Sequence, residues 1–136
     1  MIIVADGSIH QSGESLKNLL LTSAPARDFR VITKVEVDPW ENYHGAGIYI
    51  YQDDDNYVRL TRYYSNGDTV NLTREISGLV DIRTITVTND IIYLRIDKKG
   101  NDYYGFFSYD GDDWEYFAQY SADFSDIEVG IAAHTG

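Results

Sequence analysis

Two stretches of the chain gather carboxylates densely enough to attempt chemistry: Glu36-Val37-Asp38-Pro39-Trp40-Glu41 and Gln52-Asp53-Asp54-Asp55-Asn56. Two glutamates about 5 Å apart, one attacking and one protonating the leaving group, are the machinery of retaining glycoside hydrolysis. Pro39 stands in the middle of the first stretch, where it cannot donate to a central ladder and forces a bend. That stretch therefore reads as a strand end followed by a bend, and a small hydrolase using Glu36 and Glu41 ranks third among the functional readings. A calcium loop of the EF-hand kind needs acids at alternate positions, a central glycine and a terminal glutamate. Neither Asp53-Asp54-Asp55 nor Asp110-Gly111-Asp112-Asp113 has them, so both read as turns in which Asp and Asn satisfy nearby backbone groups. No cofactor is expected, with a single structural calcium held by Asp side chains and loop carbonyls left open. His10, His44 and His134 stand isolated, and no nucleophile elbow, H-E-x-x-H or phosphate-cradling glycine loop occurs.

The elements that must position these groups are strands. Apolar and polar residues alternate with period two between clusters of turn residues, over Asn18–Leu21, Phe29–Val37, Ala46–Tyr51, Tyr57–Tyr64, Thr69–Glu75, Thr84–Thr88, Ile91–Asp97, Asp102–Tyr109, Trp114–Tyr120 and Glu128–Ala133. About ten short strands with regularly spaced turns predict an all-β fold, a two-sheet antiparallel β-sandwich of jelly-roll type. The 136 residues suit one domain, 1–136, without repeat or linker.

Composition narrows the partners. With 11 Lys+Arg against 22 Asp+Glu the net charge is −11, which repels nucleic acid and anionic membrane surfaces alike. No cysteine is present, so disulfides and thiolate metal sites are excluded. The start MIIVADG lacks the basic region and cleavage site of a signal peptide. Aromatic residues make up 14%, with 12 Tyr, two Trp and five Phe. Tyrosine is favoured in strands for structural reasons, and it also suits a wet binding surface because a flat apolar ring ends in a polar tip.

Sorting faces places many of these rings together. Ile48, Ile50, Val58, Leu60, Val70 and Leu72 share one side, which leaves Tyr49, Tyr51, Tyr57, Arg59, Tyr63 and Asn71 on the other. Closing the first hairpin with Tyr51 opposite Tyr57 puts Tyr49 opposite Arg59, and a three-residue Ser65-Asn66-Gly67 loop puts Thr61 opposite Asn71. Loop residues Trp40, Tyr43 and His44 flank this face. Rings among hydrogen-bonding groups match a polysaccharide, whose sugars present apolar C–H faces rimmed by hydroxyls; each stacked ring is worth roughly 1 kcal/mol before ordering costs. The expectation is a face open to solvent that binds an oligosaccharide or polysaccharide. A structural face covered by another domain or by loops is the competing reading.

The segment DFRVITKVEVDPWENYHGAGIYIYQDDDNYVRLTRYY resembles the concanavalin A-like jelly roll found C-terminally in family 43 glycoside hydrolases, the β-xylosidases and arabinofuranosidases. Asp28–Val35, the bend ending at Ala46-Gly47, and YQDDDNYVRL carry the likeness. Leu94-Arg95-Ile96, Gly105-Phe106-Phe107-Ser108, the turn Tyr109–Trp114 and Val129-Gly130-Ile131 extend it over most of the chain after about Lys17. A further tryptophan-bearing strand that usually opens such domains is not seen upstream. The resemblance implies an accessory unit of a secreted bacterial enzyme: the catalytic acids sit on a separate propeller domain, and the jelly roll packs on that domain or binds plant β-glycans such as xylan. It also implies that the chain is a piece of a larger multidomain enzyme.

Overall fold

The computed structural model describes residues 19–37 and 44–134. Its regular structure is ten strands in chain order: β1 Leu19–Ser23, β2 Phe29–Glu36, β3 Gly45–Asp53, β4 Asn56–Tyr64, β5 Asp68–Ile76, β6 Leu79–Thr86, β7 Ile91–Lys99, β8 Asp102–Ser108, β9 Glu115–Ser121 and β10 Glu128–His134. Every pairing is antiparallel. A six-stranded sheet runs β1-β10-β3-β4-β5-β6 and a four-stranded sheet runs β2-β7-β8-β9.

The sheets meet over one apolar layer. Ile48, Ile50, Val58, Leu60, Val70 and Leu72 from the larger sheet pack on Ile92, Leu94, Ile96, Tyr103 and Phe107 from the smaller, all of them buried. Strand period two produces this directly, since every second side chain in a paired strand faces the same way. Burial of such side chains, each worth about 1.5–3 kcal/mol, dominates the energetics of the sandwich.

Turn chemistry fixes the register. Tyr51 lies opposite Tyr57 and Tyr49 opposite Arg59, with the pairing shifting by one residue between Tyr51 and Asp53. Thr61 lies opposite Asn71, and Tyr64 opposite Asp68 closes the Ser65-Asn66-Gly67 loop. Asn66 sits in the left-handed region at φ 53°, which asparagine tolerates better than most residues.

One strand differs from the sequence expectation. The predicted Thr84–Thr88 belongs to a longer β6 that begins at Leu79, joined to β5 by a tight turn in which Ser77 and Gly78 both take positive φ, 51° and 80°. Positive φ at both central residues defines the hairpin turn usually written Asn-Gly, and serine hid it here. In its first half the strand's alternation is also reversed relative to its neighbours: Val80 and Ile82 pair with Glu75 and Thr73 and share their side of the sheet, while Asp81 and Arg83 take the side that is apolar in β3 to β5, and Ile85 opposite Val70 returns to the core.

Candidate functional site

The carboxylate turns come first. Asp53 Oδ1 accepts from the Asp55 backbone N–H at 2.9 Å and from Asn56 Nδ2 at 2.8 Å; its pKa is lowered, chiefly by the Asn56 hydrogen bond. The Tyr51 hydroxyl donates to Asp54. Asp110 Oδ1 accepts the backbone N–H groups of Asp112 and Asp113, both at 2.8 Å. Those backbone donors, Asp113 first, hold the Asp110 carboxyl at about 2. Asp53, Asp54 and Asp110 are thus engaged by their own loops, and among the described residues no three His, Asp or Glu side chains gather as metal ligands.

Glu36 ends β2 opposite Ile91 and is exposed. A cleft of about 460 Å³ opens beside it, lined by Val35, Val37, Ala46, Ile131 and Ala133 among others. Asp38, Pro39, Trp40, Glu41 and Tyr43 lie outside the described residues. His44 is half-buried, and its carbonyl accepts the Tyr64 N–H at 2.9 Å.

The six predicted sheet residues share one face, as the alternation required, but that face is not open to solvent. Tyr49, Tyr57, Arg59, Tyr63 and Asn71 are only 0–7% exposed, and Tyr51 is half-buried. The expectation of solvent-facing rings is therefore corrected. The rings pack on one another and on neighbouring strands: Tyr49 and Tyr57 form a second buried cluster with Ala132, against which Leu19 and Tyr51 pack. Their ring centroids are 6.2 Å apart. Arg59 lies 6.0 Å from the Tyr57 ring centroid, and its Nη1 donates to the Tyr49 hydroxyl at 3.2 Å. Burial pushes the Tyr57 phenol upward, Arg59 opposes this, and Glu75 reinforces it. Burial alone would lower the Arg59 guanidinium, but the surrounding tyrosines, Tyr49 first, raise it. The arginine is held charged in a polar layer.

The odd-numbered positions of the face run on through Thr73 to Glu75, both fully buried. Thr61 Oγ1, Thr73 Oγ1, Asn71 Oδ1 and both Glu75 carboxylate oxygens lack a well-directed hydrogen bond. Among the described residues the two exposed aromatic rings, Tyr109 and Tyr116, belong to or follow strands of the other sheet, where Arg95 in β7 and Tyr104 and Phe106 in β8 alternate with core residues and meet Trp114 and Tyr116. The same period-two test that sorted β3 to β5 would have found them.

Two antiparallel sheets around one core, with a polar aromatic layer sealed on the far side of the larger sheet, define a jelly-roll β-sandwich domain. The chain belongs to the family of β-xylosidase C-terminal concanavalin A-like domains, whose family model it matches over residues 7–136. The GH43 protein BlXynB from Bacillus licheniformis has a similar structure, with a TM-score of 0.82 and 19% identity over 88% of this chain and 26% of that one. The xylan beta-1,4-xylosidase from Bacillus halodurans C-125 gives 0.73 and 20% over 92% of this chain and 26% of that one. A functionally unknown protein from Saccharomyces cerevisiae gives 0.72 and 19% over 91% of this chain and 66% of that one. At these identities the likeness is one of fold. The chain spans about a quarter of each of the two Bacillus chains, and no curated protein matches it.

Proposed function

We propose that the chain is a non-catalytic accessory domain that packs on the catalytic domain of a family 43 glycoside hydrolase, within a longer secreted enzyme acting on plant polysaccharide. The observation that carries this reading is strand β6. It ends the six-stranded sheet and exposes Val80 and Ile82 on one side and Leu79 (76%) on the other, beside the exposed Ile76 of β5. Edge strands of independent domains are normally guarded by charge, proline or a bulge. Asp81 and Arg83 point away from Val80 and Ile82, and Asp81 is tied to Arg74. Apolar surface exposed at such an edge is what a covalently attached neighbour covers, within the roughly 600–1,500 Å² typical of interdomain contacts.

Sugar stacking on Tyr49, Tyr51, Tyr57 and Tyr63, with hydrogen bonds from Arg59, Asn71 and His44, is less well supported, since stacking needs ring faces that a ligand can reach. Catalysis by Glu36 and Glu41 has less support still. The test is association in trans between this chain and the catalytic domain encoded with it, followed by analytical ultracentrifugation. Leu79→Asp combined with Ile82→Asp should weaken that association at least tenfold while leaving the circular dichroism of the chain unchanged. No association of the unaltered chain, or hydrolysis of a β-xyloside by the chain alone that Glu36→Gln abolishes, would overturn the proposal.

A further inference from the structure

Where β6 passes the edge of the smaller sheet, side chains from three strands converge on one ring, that of Tyr120 in β9. Register sets Arg74 of β5 opposite Asp81 and Leu72 opposite Arg83, so Arg74, Asp81 and Arg83 share one side of the larger sheet. The Arg74 guanidinium lies 4.9 Å from the Tyr120 ring centroid and that of Arg83 lies 5.8 Å from it. Arg74 has two fixed partners: Nη1 donates to the Ser121 carbonyl at 2.9 Å and Nη2 to the Asp81 carboxylate.

Donors remain in this cluster that have nothing to donate to. Arg74 Nε and the Tyr120 hydroxyl are buried without a hydrogen-bond partner, and the exposed Arg83 has no hydrogen bond or ion pair among the described residues. Tyr120 is only 8% exposed, and burial raises its pKa against the opposing pull of Arg83, so the hydroxyl keeps its proton. A buried donor without an acceptor is costly, and a bound acceptor relieves that cost. Charge says which acceptor. Two guanidiniums stand against the one carboxylate of Asp81, an excess of one positive charge on a chain of net charge −11. A carboxylate would bring the cluster to neutrality and match the planar fork of an arginine held beside a ring, whereas a dianion would leave it negative next to Asp81. On the same side of the sheet the exposed Ile76 and Leu79 lie opposite each other and supply apolar surface.

We propose that Arg83, with Arg74 and Tyr120 around it, is the anchor for a carboxylate carried by an acidic side chain of the catalytic domain that packs on β6. The site rests on that docking and assigns it a charged contact of definite sign. The test is association in trans between the 136-residue chain and the catalytic domain encoded with it, followed by analytical ultracentrifugation at low and at high ionic strength. Arg83→Gln should weaken the association roughly tenfold at low ionic strength and flatten its dependence on salt. Lys34→Gln removes the same charge from β2, at the far edge of the smaller sheet, and should leave both unchanged. Arg83→Lys, which keeps the charge and loses the fork, should fall between Arg83→Gln and the unaltered chain. Arg83 is exposed, so these substitutions spare the core, and unchanged circular dichroism would show it. Association that Arg83→Gln leaves at full strength, or that Lys34→Gln weakens equally, overturns this inference and leaves the docking standing; no association of the unaltered chain overturns both.

Discussion

Asp97 shows how a single residue on this fold acquires leverage. Burial on its own would raise its pKa, but hydrogen bonds from Arg95 and Arg30 outweigh that and hold the carboxyl at about 2. An unfolded aspartate titrates near 3.9. Because the folded value is the lower one, the stabilisation is complete above about pH 4 and disappears as pH falls from there toward about 2. A difference of almost two units corresponds to about 2 kcal/mol. Chemical denaturation of Asp97→Asn should therefore show a loss of about that size at pH 7 and a flatter dependence of stability on pH between about 4 and 2. Equal slopes for the variant and the unaltered chain in that window would contradict the argument.

At the scale of elements, close strand approach is the sharper constraint. Gly47 of β3 stands between Ala132 of β10 and Thr61 of β4, and a Cβ there would fall onto the backbone carbonyl of Leu60. Backbone cannot swing aside as a side-chain tip can. Gly47→Ala should cost at least about 2 kcal/mol, read as a lowered denaturation midpoint, and an unchanged midpoint would show that the strands can part. The strand pattern made much of this architecture legible: Ile48, Ile50, Val58 and Leu60 alternate cleanly, the turn residues set the loop lengths, and the pairing of Tyr49 with Arg59 follows from both. Exposure was not legible in the same way. Alternation tells which residues share a side of a sheet, but tyrosine, threonine, asparagine and arginine fit a wet surface and a buried polar layer equally well. Strand β6 escaped for another reason, since Val80 and Ile82 break the parity of their neighbours and Ser77-Gly78 is an uncommon spelling of a tight hairpin.

For the whole molecule, order along the chain and order in the sheet disagree. β10, the last strand, does not lie at an edge: it is inserted between β1 and β3 and pairs with both. Deleting residues 127–136 would strip β1 of its neighbour and bare one side of β3. Such a chain should lose its cooperative thermal transition and elute from size exclusion as aggregates. A monomeric deletion variant that still melts cooperatively would show that the rest of the sandwich stands alone. The insertion also sets a timetable for biosynthesis. β1 emerges from the ribosome about a hundred residues ahead of its partner, a wait of roughly 5–20 s at ordinary translation rates. Until the final strand arrives, the larger sheet has a gap where any foreign strand would fit, so the nascent chain needs chaperone cover through that interval.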